Sequence, residues 1–239
     1  MGPVYRPRRE SRVVHRDGGR ELRIGGTFAS WYEPGSPVTG SVWDALAVGL
    51  LALPRSRRRS VLLLGLGGGS AARLSRALAP AARIVGVEID PQVVRLARRH
   101  FGLDAIGVEV VLADARDYLQ RSGERFDAIL EDVFESIDGE ARKPAGFPEP
   151  AFDHALRALR PGGVLASNTL DEAPSVARAL ARRRLHGVRI GIEGYDNRVY
   201  VASRLPLGAR PLRAAVAAEP LLGETLPRLR FRSLGPREP

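Results

Sequence analysis

The chain has no cysteine among its 239 residues. Disulfides, thiolate metal sites and a thiol nucleophile are therefore excluded. Lysine is nearly absent too: Lys143 is the only one, so 36 of the 37 basic residues are arginine. The four histidines, His15, His100, His154 and His186, lie scattered without the spacing of a metal site, and no metal is expected. Long apolar runs are missing. The longest, such as residues 45–53, fall well short of the roughly 20 residues needed to cross a bilayer. The basic stretch from Met1 to Arg16 contains no apolar core of the kind a secretory signal carries. A cytoplasmic protein with no membrane partner is expected.

Acidic residues are also in the minority, and the net charge of +10 invites a nucleic-acid reading. The arginine excess comes with an abundance of alanine, glycine and proline, a skew that a G+C-rich genome produces as readily as a selected surface does. The clusters at residues 55–59 and 182–184 fall at predicted helix-to-strand connections and read as solvated edges. Nucleic acid is therefore the disfavoured partner.

What is present centres on one stretch, Val61-Leu62-Leu63-Leu64-Gly65-Leu66-Gly67-Gly68-Gly69-Ser70, and its sequel Ile84-Val85-Gly86-Val87-Glu88-Ile89-Asp90-Pro91. The first part reads as a buried strand running into a glycine-rich turn and a helix. Glycines let the backbone approach a ligand, and the helix N-terminus behind them offers unpaired N–H groups. The second part is another apolar strand. It ends in a carboxylate, Glu88, suited to two ribose hydroxyls. A nucleoside-bearing cofactor is expected here.

Around this stretch the chain divides into three. Residues 1–54 read as an N-terminal β-hairpin unit with a linking helix. The first ten residues look disordered, Asp17-Gly18 supplies the hairpin turn, and residues 42–53 form an amphipathic helix ended by Pro54. Residues 55–205 alternate strand and helix: strands at 61–64, 83–88, 108–112, 126–131 and 164–168, then two strands, 187–193 and 198–203, with no helix between. That order implies an α/β fold with a mainly parallel sheet of seven strands, closed by a terminal antiparallel hairpin. A loop covers 132–147. Residues 206–239 read as a Pro/Arg-rich tail with one short helix.

Five strand–helix steps, a terminal hairpin and Pro161-Gly162-Gly163 before the fifth strand resemble the class I S-adenosylmethionine-dependent methyltransferase (Rossmann-like) fold. Leu63 where methyltransferases usually carry an acid, the triple glycine, the preceding hairpin unit and Val87-Glu88-Ile89-Asp90 narrow the likeness. They are similar to the polyamine aminopropyltransferases, the spermidine synthase family, over residues 11–203. The resemblance implies a transferase that uses S-adenosylmethionine or its decarboxylated form and moves an aminopropyl or methyl group to a small-molecule amine acceptor. It assigns cofactor contacts to Gly65, Gly67, Gly68, Gly69, Ser70, Glu88, Ile89, Asp114 and Ala115, with Glu88 at the ribose and Asp114 at the adenine. Asp132 falls at the catalytic aspartate, with Glu135 assisting, and the family's habit of dimerising allows a homodimer.

Asp132 also makes chemical sense by itself, since an attacking amine must be oriented and deprotonated. Glu131, Asp132, Glu135, Asp138 and Glu140 put five acids within ten residues, a local well for a cation, although Asp138 and Glu140 read as merely solvated. Two departures stand out. Ser70 replaces the family's aspartate, which repels the carboxylate of intact S-adenosylmethionine, so methyl transfer becomes a rival reaction. Val133-Phe134 replaces small serines beside the amine channel. Other readings are a non-catalytic nucleoside-binding homologue and an RNA-modifying methyltransferase.

Overall fold

The computed structural model describes residues 10–234. The expected disorder over residues 1–10 thus falls, apart from Glu10, outside the described residues.

The chain opens with three antiparallel strands, β1 (Ser11–Arg16), β2 (Gly19–Ile24) and β3 (Thr27–Tyr32), paired in that order. A single hairpin was expected. Gly25 and Gly26, both at positive φ, turn the second arm back on itself and make the third strand. Leu22 of β2 packs with Val93 and Phe101, which seats this small sheet on the helix spanning Pro91–His100.

Residues 42–53 depart from expectation more. Helix α1 (Val42–Ala47) gives way to a 3-10 segment, Val48–Ala52, and every residue of α1 is buried. An amphipathic surface helix would leave one face wet. Here the central sheet lies on one side: a Cβ added at Gly49 would come within 2.8 Å of Ala166 Cβ. The C-terminal segment covers the other side.

The central sheet follows. It contains β4 (Ser60–Leu64), β5 (Arg83–Glu88), β6 (Val108–Leu112), β7 (Phe126–Glu131), β10 (Leu159–Thr169), β11 (His186–Ile192), β12 (Arg198–Ser203) and β13 (Leu229–Leu234). The strand order is β13-β11-β12-β10-β7-β4-β5-β6. Between these strands run helices α2 (Ser70–Leu78), α3 (Pro91–His100), α4 (Leu103–Ile106), α5 (Ala115–Arg121), α6 (Ala151–Ala158), α7 (Ala173–Arg182) and α8 (Ala209–Ala217). Alternate residues of β4 enter opposite cores: Val61 and Leu63 face α1 and α2, whereas Leu62 and Leu64 face α5 and α6. A strand buried on both faces must be apolar throughout, which is why residues 61–64 carry no polar side chain.

Eight strands replace the expected seven. Residues 229–234, assigned to the tail, pair antiparallel with β11 from Gly187↔Leu234 to Ile192↔Leu229. The segment before them packs Leu212, Val216 and Leu222 into the core beside Leu46 and Leu50. A further hairpin, β8 (Glu135–Ile137) with β9 (Glu140–Arg142), occupies the expected loop at 132–147. Strands β4, β5 and β6 progress toward one edge, and β7 returns to the other side of β4. The carboxyl ends of β4 and β7 therefore form a topological switch point, where open α/β sheets bind ligands. Among the described residues no helix is long and apolar enough to cross a membrane.

Candidate active site

A cleft of about 590 Å³ opens at this switch point. Gly65 follows β4 and Asp132 follows β7; the Asp132 N–H donates to Leu64 O at 2.8 Å. The approach is so close that a Cβ at Gly65 would lie 2.4 Å from the Asp132 carbonyl oxygen, and Gly65 also has φ +80. Only glycine fits there.

On one wall, Glu88 ends β5. Its carboxylate accepts N–H bonds from Gly67 at 2.9 Å, Ile89 at 2.9 Å and Asp90 at 3.0 Å. Burial raises its pKa above the usual carboxylate value, and the three N–H bonds work against that shift. Ile89 presents apolar surface, 42% exposed, at the same wall. Asp114 caps α5 by accepting the Arg116 N–H at 2.7 Å. Its two oxygens also take the Arg116 guanidinium at 3.0 and 2.5 Å, and this pairing lowers its pKa. Ala115 completes this wall.

On the other wall, both oxygens of Asp132 are occupied. Trp43 Nε1 of α1 donates to Oδ2 at 2.9 Å and Asn168 Nδ2 of β10 donates to Oδ1 at 2.8 Å. Asn197 Nδ2 in turn donates to Asn168 Oδ1 at 3.0 Å, which fixes the orientation of the Asn168 amide. Burial pushes the Asp132 carboxyl up, and Asn168, the Lys143 charge and Trp43 oppose it. Glu135, at the start of β8, lines the same cleft, and Ser136 Oγ beside it donates to Gly25 O at 2.8 Å, tying β8 to the N-terminal sheet.

Of the residues expected at the site, Gly65, Gly67, Glu88, Ile89, Asp114, Ala115, Asp132 and Glu135 line the cleft. Gly68, Gly69 and Ser70 do not. Gly68 N–H donates to Ser30 Oγ at 2.7 Å, and a Cβ there would meet Ser30 Cβ at 2.8 Å. Gly69, at φ +85, packs against Leu103 and Ile106. Ser70 Oγ donates to Trp31 O at 2.7 Å and accepts the Trp31 N–H at 2.9 Å. The latter half of the glycine loop thus seats the N-terminal sheet, and Ser70 Oγ is engaged by the Trp31 backbone rather than lining the cleft.

The acidic cluster also divides. Glu131 is 1% exposed and turns inward to Lys143 Nζ at 2.7 Å and Ser167 Oγ at 2.6 Å. Asp138 and Glu140 lie exposed at the tip of the β8–β9 hairpin. Of the aromatic residues, Trp43 and Phe28 meet edge to face, 5.1 Å apart, over the cleft. Tyr32 instead packs on Phe101 and under the Arg73 guanidinium. Sequence reasoning missed Asn168 and Asn197. Their only signal was position, at or just before a strand end on the cleft side of the sheet.

Comparisons with known proteins agree with this architecture. The family described as spermine/spermidine synthase domain matches residues 46–186, more than half of the chain. The polyamine aminopropyltransferase of Chromobacterium violaceum is 41% identical over 112 residues, 46% of this chain and 42% of that protein. The chain thus spans about half the length, or less, of the curated relatives it matches. A probable spermidine synthase from Corynebacterium glutamicum superposes with a TM-score of 0.74 at 20% identity, covering 94% of this chain and 88% of its own. Human methyltransferase-like protein 13, solved in complex with SAH, gives 0.63 at 26% identity over 79% and 93%. With a glycine turn, a strand-terminal glutamate and an aspartate past the fourth parallel strand gathered at the switch point and the family model matching over half its length, the chain belongs to the spermine/spermidine synthase family.

Proposed function

We propose that this protein transfers an aminopropyl group from decarboxylated S-adenosylmethionine to a small amine. The observation that carries the reading is the charge of the cleft. In a chain of net charge +10, the cleft is lined by Glu88, Asp90, Asp114, Asp132 and Glu135 against one base, Arg116. Arg116 is spent on Asp114. Glu88, Asp90 and Asp132 then favour a sulfonium that carries an ammonium, together with a cationic amine, over a ligand with its own carboxylate.

In this reading Glu88 exchanges its Gly67 contact for the ribose hydroxyls. Adenine lies on Ile89 and reaches the one lone pair of Asp114 Oδ2 that Arg116 leaves open. Asp132 holds the acceptor amine and takes its proton. The amine lone pair forms a C–N bond to the propyl carbon on sulfur while the C–S pair returns to sulfur. The sulfonium becomes a neutral thioether, and one proton leaves through Asp132. Trp43 and Asn168 already occupy one lone pair on each Asp132 oxygen, so the remaining pairs have a fixed direction toward the cleft.

Methyl transfer from S-adenosylmethionine is the second reading, favoured by the 26% identity to human methyltransferase-like protein 13. Calorimetry with both cofactors, followed by turnover against a panel of diamines, separates the two. Tight binding of S-adenosylmethionine with none of the decarboxylated form would end the aminopropyl reading. Asp132→Asn is expected to lower kcat by roughly 100-fold or more while sparing cofactor affinity. Undiminished turnover in that variant would remove Asp132 from the mechanism.

A further inference from the structure

The chain encodes every base but one as arginine, and the exception is buried beside the site. Lys143 follows β9, and its side chain is 1% exposed. Its ammonium donates to Glu131 Oε1 at 2.7 Å and to Val133 O at 3.4 Å. It sits 4.3 Å from the centre of the Phe134 ring and 5.9 Å from that of Phe147. Glu131 Oε1 also accepts the Val133 N–H at 2.8 Å, and its Oε2 takes Ser167 Oγ. The Lys143 backbone N–H is held by Glu172 Oε1 at 2.8 Å. Both contacts of the ammonium fall on residues that flank Asp132 in the chain.

We infer that Lys143 is a positioning residue for Asp132: by bridging Glu131 and Val133 it fixes the place and the charge of the carboxylate between them. The inference rests on the role of Asp132 given above. A compact ammonium with three donors satisfies a carboxylate, a carbonyl and two ring faces in a space closed on all sides. A planar guanidinium needs a wider, flat arrangement of acceptors. The same bridge closes the base of the β8–β9 hairpin, which brings Glu135 to the cleft.

The charged groups that face Asp132 are few. Glu131 lies at its own strand end and Lys143 comes from the segment after β9. The cleft adds Arg116 and Asp114 from α5 and the residue before it, Glu135 from β8, and Glu88 and Asp90 from the end of β5. Helix α1 and strand β10 contribute only the neutral Trp43 and Asn168. Lys143 and Glu131 act on Asp132 in opposite directions, Lys143 the more strongly. Removing either one alone must therefore move its titration in opposite senses.

Carbon-13 carboxyl NMR of the cofactor-free protein, with Asp132→Asn assigning the resonance, reads that titration without turnover. Lys143→Met is expected to raise the Asp132 midpoint by roughly one pH unit. Glu131→Gln, which keeps an acceptor for the ammonium, is expected to lower it, and the double variant to lie between. In turnover, Lys143→Met should reduce kcat and move the acidic limb of its pH profile upward, with cofactor KM held. A packing role alone would lower stability and leave the midpoint where it was. Midpoints that fail to separate between the two single variants overturn the inference, and Glu131→Gln against wild type suffices if Lys143→Met does not fold. If the midpoints separate but Asp132→Asn keeps its activity, the catalytic reading fails and the bridge stands. If they do not separate and that variant is dead, the reverse holds.

Discussion

If Glu88 holds the ribose as proposed, this one residue couples ligand binding to pH. Glu88 is 8% exposed, and burial raises its carboxyl pKa above the ordinary glutamate value. The raised value means that the folded state holds the proton more tightly than the unfolded chain does. The stability that protonation contributes is full below the unfolded value and is lost as pH rises through the folded one. Binding runs the other way, because the ionised form accepts from both ribose hydroxyls more strongly than the neutral acid does. Affinity for methylthioadenosine is therefore expected to decline as pH falls from 7 toward 5, earlier than an ordinary glutamate would allow. Titration calorimetry across that range measures it. Glu88→Gln should bind weakly and with a flat pH profile, and a wild-type profile equally flat would show that Glu88 does not hold the ribose.

At the scale of elements, the glycine loop does two jobs with adjacent residues. Gly65 and Gly67 face the cleft, whereas Gly68 and Ser70 are bonded to β3 through Ser30 and Trp31. Ser30→Ala leaves the buried Gly68 N–H without a partner, a loss of about 1–3 kcal/mol. It should lower Tm and loosen the N-terminal sheet with little change in the cleft wall. Gly65→Ala meets a backbone carbonyl that cannot step aside, so it should disturb Asp132 itself. Thermal unfolding and nucleoside binding, measured on both variants, tell the two apart: the first should lose mainly stability, the second mainly binding.

This division also marks where the sequence was legible. The strand, the glycine turn and Glu88 could be read because apolar runs, glycines and a strand-terminal acid each have a local cause. Asp132 could be read because it follows the fourth strand of a parallel series. The partners of Ser70 and Asp132 could not. Trp31 lies 39 residues from Ser70, and Trp43 lies 89 residues from Asp132. Such contacts are made by tertiary packing, and no pattern along the chain records them. The inward turn of Glu131 was hidden for the same reason, since it depends on Lys143 lying behind it.

At the scale of the whole molecule, several of the arginines and the C-terminal segment serve the fold. Arg76 donates to the carbonyls of Ile106, Ala82 and Gly107, Arg20 to that of His100, and Arg228 to those of Gly40 and Glu193. Arg182 and Arg183 pair with Glu149. Side chains engaged in this way close helix ends and loops. Arg228 belongs to the residues that read as a tail, and those residues are tied in at several points. Thr225 Oγ1 donates at 3.0 Å to Asp44, which is fully buried in α1, and strand β13 completes the sheet. Leu212, Val216, Leu222 and Leu229 are each at most 3% exposed. Burying four such side chains contributes about 1.5–3 kcal/mol apiece. Their sum is comparable to the roughly 5–15 kcal/mol by which a whole domain is stable. Ending the chain after Leu205 would expose the outer face of α1, leave Asp44 one donor short and open β11 as an edge. The shortened chain is expected to aggregate or to lose cooperative unfolding, as circular dichroism and size-exclusion chromatography would show. A truncated chain that still melted cooperatively near the full-length Tm would mean that the core is complete without its eighth strand.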